Sequence, residues 1–199
     1  MTKQKTNYHL VNKIIALYNQ CDNTTIDKGK NWYFKANKTA LRIAKKTGYS
    51  LEVTSAIIAL LSPAVSWPNN KLQAYHLLKA YQHSKKIDGL TLTTYKQQIK
   101  KALKLLDNPL LLTADIFGKR PFKTMAFYEN IVNPNNPDFV TLDRHIFNAL
   151  KLDMLSGNKT QYYNIVDAFK VASEKISNIV PCQLQAVLWL NEKNSKIPF

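Results

Sequence analysis

Asn133-Pro134-Asn135-Asn136-Pro137-Asp138-Phe139-Val140-Thr141-Leu142-Asp143-Arg144-His145-Ile146-Phe147-Asn148-Ala149-Leu150 is the stretch on which the reading of the chain turns. Pro134 and Pro137 cannot sit inside a helix, because proline lacks the amide proton and clashes with the preceding turn. A helix must therefore begin close to Thr141, a candidate N-cap. Counting from Asp143 at helical spacing reaches Ile146, Phe147 and Leu150, which predicts that the carboxylate lies on the inward face. A charge in that position is unusual. It also has a purely structural explanation, since an acid in a first turn gains about 0.3–1 kcal/mol from the helix dipole.

On either side the pattern is helical. Apolar residues recur every three or four positions, glycine is scarce (5 residues) and alternating β-branched runs hardly occur, so the expected fold class is all-α. The spacing predicts helices over 7–20, with Leu10, Ile14, Leu17 and Tyr18 inward, and over 31–46, with Trp32, Ala36, Ala40 and Ile43 on one side. Gly48 ends the second, and Ser50 caps a third over 51–61 whose run Ala56-Ile57-Ile58-Ala59-Leu60-Leu61 is apolar almost all round and belongs mid-core. After Ser62-Pro63, a helix over 66–82 is expected to pack through Leu72, Tyr75, Leu78 and Ala80, followed by a polar loop over 83–92. The segment 93–106 turns Tyr95, Ile99, Leu103 and Leu106 inward and Lys96, Lys100, Lys101 and Lys104 outward. Such a stripe is ordinarily a solvated face and otherwise a phosphate contact. Helical segments over 113–117, 122–131, 159–177 and 181–191 complete the chain, the last with Leu184, Val187, Leu188 and Trp189. No repeat or linker interrupts it, so 1–199 reads as one structural unit.

The 199 residues are 45% hydrophobic, enough for one substantial core or two small lobes. Lys and Arg number 28 against 13 Asp and Glu, leaving +15. A polyanionic partner accounts for that excess, with nucleic acid ahead of an anionic membrane; a lysine-rich genome would also contribute. No apolar run is long enough to span a bilayer and the start does not resemble a secretory signal, so an intracellular protein is expected. Cys21 and Cys182 stand far apart with no CxxC, which supports neither a disulfide framework nor a zinc or iron–sulfur site.

Three features then fall in order: Leu60-Leu61-Ser62-Pro63-Ala64 ending the most apolar helix; the turn Gly118-Lys119-Arg120-Pro121 leading into Phe122-Lys123-Thr124; and Leu142-Asp143-Arg144-His145-Ile146-Phe147. Together they resemble the helix–hairpin–helix (HhH-GPD) DNA glycosylase superfamily, on its endonuclease III-like side, over about residues 50 to 190. The resemblance implies two helical lobes around a DNA-binding cleft and an enzyme that breaks the N-glycosidic bond of a damaged or modified base. It places the family's catalytic aspartate on Asp143 and its lyase lysine on Lys123, and it assigns phosphate contacts to the turn Gly118, Lys119 and Arg120; Arg144, by its position, reads as a phosphate contact or a loop cap. Ser62, Ala64, Ser66, Trp67 and Asn69 would fall in the base-flipping region, and Lys100 and Lys101 would add backbone contacts. It implies double-stranded DNA as partner, no cofactor, no metal and no membrane, and a monomer in the cytoplasm of a bacterial or phage-infected cell. The chain departs from the family in three places. Its turn is not Pro-Gly-x-Gly, Ala64 stands where a wedge-forming Gln is common, and the C-terminal four-cysteine cluster is absent, as in a compact phage-type relative.

The residue types suit the chemistry. Breaking an N-glycosidic bond builds positive charge on the sugar, and a carboxylate near C1′ in a poorly hydrated site stabilises it. An amine crowded by cations can attack C1′ and form a Schiff base. The target base must be flipped from the stack, and Trp32, Tyr33 and Trp67 are candidates to receive it, although each also reads as core. His145 reads as a structural histidine on another helix face. Two rival readings stay open: a non-catalytic DNA-binding protein, and a phage-type base-hypermodification enzyme.

Overall fold

The computed structural model describes residues 7–85, 87, 89–112, 114–118, 122–155 and 158–194, and all regular structure among them is helical. In chain order the helices are α1 (Tyr8–Asn19), α2 (Asn23–Lys30), α3 (Trp32–Thr47), α4 (Leu51–Leu61), α5 (Trp67–Ser84), α6 (Lys96–Asp107), α7 (Ala114–Phe117), α8 (Phe122–Val132), α9 (Arg144–Ala149), α10 (Lys159–Lys175) and α11 (Pro181–Asn194), with a 3₁₀ turn at Pro109–Leu111. The chain forms two compact units, Met1–Phe34 with Asn133–Phe199, and Lys35–Val132.

In the first unit α1 packs on α10, and α11 packs on α2, α9 and α10. Leu10, Val11, Ile14, Ile146, Phe147, Leu150, Ile165, Phe169, Leu184, Val187 and Leu188 form its core. Each such side chain contributes about 1.5–3 kcal/mol when fully buried. Helix α2 is absent from the expected elements because Asn23-Thr24-Thr25-Ile26-Asp27-Lys28-Gly29-Lys30 carries almost no apolar period. It forms through its cap and one contact. Asp22 accepts from the Thr25 amide (2.8 Å) and the Thr25 hydroxyl (2.9 Å), and Gly29 lies directly on α11, where a Cβ would stand 2.6 Å from Val187 Cα.

In the second unit α4 is buried from Val53 to Leu61 and touches α5, α6 and α8. Its boundaries follow the sequence: Ser50 Oγ accepts from the Val53 amide (3.2 Å), and Gly48 adopts φ +71 beyond α3. Two expected faces hold in part, with Leu78 and Leu106 buried as expected. Leu72 and Tyr95 point outward, at 54% and 63% exposure, while α5 turns in Asn70, Gln73, Ala74, Leu77, Leu78 and Tyr81, and α6 turns in Ala102, Leu105 and Leu106. On α5 the reason is that polar side chains take inward positions by serving buried partners. Asn70 donates to the Ile58 carbonyl (3.0 Å), and Gln73 both donates to Thr93 Oγ1 (2.8 Å) and accepts from its amide (3.0 Å).

Substituting Gly29→Ala drives a methyl into the α11 backbone and is expected to cost about 1–3 kcal/mol, the range for overpacking, read as a lower urea midpoint at unchanged m-value. Hydrogen bonds from the Thr25 amide and then its hydroxyl hold the Asp22 carboxyl below its ordinary value. The sign follows: the cap's contribution is present above the ordinary carboxylate range and is lost as pH falls through the depressed folded value. Asp22→Asn is therefore expected to flatten the acid limb of a stability-against-pH curve, measured by denaturation between neutral pH and pH about 3.

Candidate functional site

The segment leading to α9 is pinned before it reaches the acid. Val140 and Leu142 are buried, Tyr162 of α10 donates its hydroxyl to the Val140 carbonyl (2.7 Å), and Cys182 Sγ donates to the Pro134 carbonyl (3.3 Å). Burial pushes the Tyr162 hydroxyl far above its ordinary pKa and takes the Cys182 thiol up to about 12. Cys182 therefore offers no thiolate nucleophile at neutral pH.

Asp143 itself, not Thr141, is the N-cap of α9. Its backbone is extended (φ −112, ψ 177), and Oδ1 accepts from the amides of His145 (3.0 Å) and Ile146 (3.2 Å). Aspartate outranks threonine at this position because its carboxylate can accept from two orphan amides at once. Its other oxygen, Oδ2, accepts from the indole Nε1–H of Trp189 on α11 (2.9 Å). Three of the roughly four acceptor sites on the carboxylate are thus used, which fixes its direction and leaves one on Oδ2.

Rings gather beside this half-buried acid. Trp189 meets Trp32 edge to face (centroids 5.8 Å) and His145 at 6.2 Å, and Trp32 meets Tyr33 at 4.8 Å. Lys193 lies over the Trp189 ring at 4.3 Å. Tyr33 is buried and donates to Gln185 Oε1 (2.9 Å), which makes it a core residue, whereas Trp32, His145 and Trp189 keep partial exposure. His145 Nδ1 is buried without a hydrogen-bond partner. All of these residues belong to the first unit.

The remaining candidates are placed as follows. Arg144 is exposed beside Asp143. In the second unit Ser62 caps the end of α4, donating to the Ala59 carbonyl (2.8 Å), and Ala64 is exposed at φ +63. Ser66 stands at the N-cap of α5 without a side-chain capping bond, Asn69 is exposed, and half-buried Trp67 meets Phe127 edge to face (6.3 Å). Lys100 and Lys123 are exposed. Lys101 leaves the basic stripe, because its ammonium caps α7 by donating to the Phe117 carbonyl (2.8 Å). Gly118 follows at φ +108, and a Cβ there would stand 2.7 Å from Lys101 Nζ. Lys119 and Arg120, named for the phosphate-binding turn, lie outside the described residues. Among the described residues no group of three or more His, Cys, Asp or Glu side chains could hold a metal ion, and no helix is long and apolar enough to cross a membrane.

One family model matches residues 1–196, and its description is a family of unknown function, DUF7178. The chain belongs to the DUF7178 family. No curated protein and no solved structure matches it. Within this DUF7178 chain, Trp189 is the site residue that reading the sequence missed, since it sits in an apolar run and looks like packing. The signal was a shared need. A half-buried indole N–H requires an acceptor, and a lone acid in an apolar motif requires donors.

Asp143→Asn keeps an oxygen for the α9 amides but turns an NH₂ toward the Trp189 N–H, so one donor is left unpaired at a cost of about 1–3 kcal/mol. Adding Trp189→Phe removes that conflict. The double variant is expected to be more stable than Asp143→Asn alone, as equilibrium urea denaturation will show.

Proposed function

We propose that this DUF7178 protein is a DNA glycosylase-like enzyme that hydrolyses the N-glycosidic bond of a damaged or modified base, with Asp143 as the residue that stabilises the developing sugar cation. The observation that carries the proposal is the Asp143 carboxylate, aimed by two amides and an indole and flanked by the partly exposed rings of Trp32, Trp189 and His145. A fixed carboxylate with a remaining acceptor site answers positive charge at C1′ without reorganising, the condition under which electrostatic stabilisation is strongest. In the reaction a water oxygen bonds to C1′, the C1′–N bond breaks, and the departing base takes up the proton that the water gives up. The rings offer faces for an extruded base, whose flipping costs a few kcal/mol. The resemblance of residues 50 to 190 to the helix–hairpin–helix glycosylases supports the same reading, with duplex DNA as partner, the monomer as acting form and the cytoplasm as compartment. Lys123, exposed in the first turn of α8, is the proposed lyase nucleophile; its amine would attack C1′ as the C1′–N bond to the base breaks and the base takes up a proton from the amine, and the C1′–O4′ bond would then open, with O4′ protonated, to leave the C1′ Schiff base.

One observation favours the rival reading of a non-catalytic DNA-binding protein: as an N-cap that also accepts from an indole, Asp143 already has a structural role. The two readings separate on duplexes carrying uracil, oxidised, alkylated or hydroxymethylated bases. The wild type is expected to leave abasic sites on one of them, and Asp143→Asn/Trp189→Phe to fold and bind DNA but release base at least about a hundredfold more slowly, the scale for losing one electrostatic group. Borohydride is expected to trap a DNA adduct with the wild type and none with Lys123→Gln. Equal binding with no release by either protein across the panel contradicts the proposal.

A further inference from the structure

The charge excess is unevenly distributed. Residues 35–132 carry 16 Lys and Arg against 5 Asp and Glu, a net of +11, while the rest of the chain carries 12 against 8, a net of +4. Within the second unit Glu52, Asp107 and Glu129 lie on α4, α6 and α8. Asp107 accepts from the Tyr81 hydroxyl, and burial, then Glu129 and Glu52, raise the Tyr128 hydroxyl to about 12. Neither α3 nor α5 contains a single acid in its 16 and 18 residues.

The structure draws the outer faces of these two helices together at one ring. Tyr75 of α5 has Lys79 Nζ at 5.8 Å from its centroid, one turn along the same helix, and Lys46 Nζ of α3 at 6.0 Å. One turn back along α3 from Lys46 stands exposed Arg42, with exposed Lys38 and Lys45 on the same outer side. Lys71 lies over the Trp67 ring at 5.4 Å on the first turn of α5. Two ammonium groups sharing one ring, without a carboxylate on either helix to offset them, repel each other; an anion between them relieves that repulsion.

We infer that the α3–α5 face of the second unit, built on Arg42, Lys46, Lys71, Tyr75 and Lys79, binds the phosphate backbone of nucleic acid. The Tyr75 ring holds the two ammonium groups in place, so their attraction to phosphate costs less side-chain entropy than that of unrestrained lysines. Nucleic acid is favoured over an anionic membrane by what the helices have already used. Ala36, Ala40, Ile43 and Ala44 of α3 and Ala74, Leu77, Leu78 and Tyr81 of α5 are buried, which leaves Leu41 and Leu72 as the large apolar residues facing outward. An interfacial helix inserts a broad apolar face, whereas phosphate neutralisation needs none. The surface contains neither Asp143 nor Lys123, and the inference does not depend on base release.

The experiment is a salt series of binding to an unmodified 20-base-pair duplex, followed by fluorescence anisotropy. Lys46→Gln/Lys79→Gln, both at exposed positions, is expected to weaken binding without sequence preference and to flatten the slope of log affinity against log salt by about 2, close to 0.9 for each phosphate that is no longer neutralised. The unmodified duplex offers no damaged base to release, so a failure of the base-release reading remains distinguishable from a failure of this one. Wild-type affinity and slope in the lysine variant overturn the inference, as does a slope that resides entirely in Lys96→Gln/Lys100→Gln on α6. Binding to phosphatidylcholine vesicles with about one-quarter phosphatidylserine, with the duplex left unbound, overturns it in favour of a membrane surface.

Discussion

Asp143 joins two parts of the chain that lie 46 residues apart, accepting from the first amides of α9 with one oxygen and from the indole of α11 with the other. Hydrogen bonds to a charged acceptor are worth about 1.5–3 kcal/mol each when their geometry holds. Here they also decide the start of α9. With Asp143 outside the helix as its cap, Ile146, Phe147 and Leu150 are carried into the core of the first unit, and Arg144 is turned out to solvent. The same bonds place a negative charge beside partly exposed rings. The fold therefore holds this carboxylate in one direction for structural reasons.

The two units differ in kind. The first contains α1, α2 and α9 to α11 around the Asp143 cluster and carries a modest +4; the second is built on the buried α4 and carries +11. Steric close approach matters most in the first, where Gly29 lets α2 lie on the backbone of α11 and so fixes the helix that bears Trp189. In the second, buried amides do the corresponding work: Asn70 and Gln73 bind backbone groups, and Asn37 donates to the end carbonyls of α8 (2.8 and 3.2 Å). Its outer surface is then free to be cationic.

Much of the helical order was legible in the residues. Ser50, Gly48 and the apolar run to Leu61 define α4 to the residue, and the proline-rich stretch before Phe139 correctly forbids a helix. What escaped has common causes. Helix α2 lacks an apolar period and depends on a side-chain cap and on a contact with α11, neither of which is local information. The inward faces were legible only in part: on α5 Asn70 and Gln73 are polar yet buried while Leu72 is apolar yet exposed, and Tyr95 stands before α6 as its N-cap. Lys101 read as one more member of a basic stripe, since a lysine that serves a carbonyl 16 positions away looks the same in sequence as one in water. Asp143 was legible as an acid in an apolar setting; its indole partner was not, because that pairing exists only once α11 has folded against α9.

The most direct measurement is the nitrogen–proton NMR spectrum of the three tryptophan indoles, assigned by substitution, with hydrogen exchange at each. The account predicts that the Trp189 indole proton is shifted by its charged acceptor and protected from exchange, and that Asp143→Ala abolishes both effects. A Trp189 indole that exchanges like one exposed to solvent, and whose resonance ignores the loss of Asp143, would contradict it.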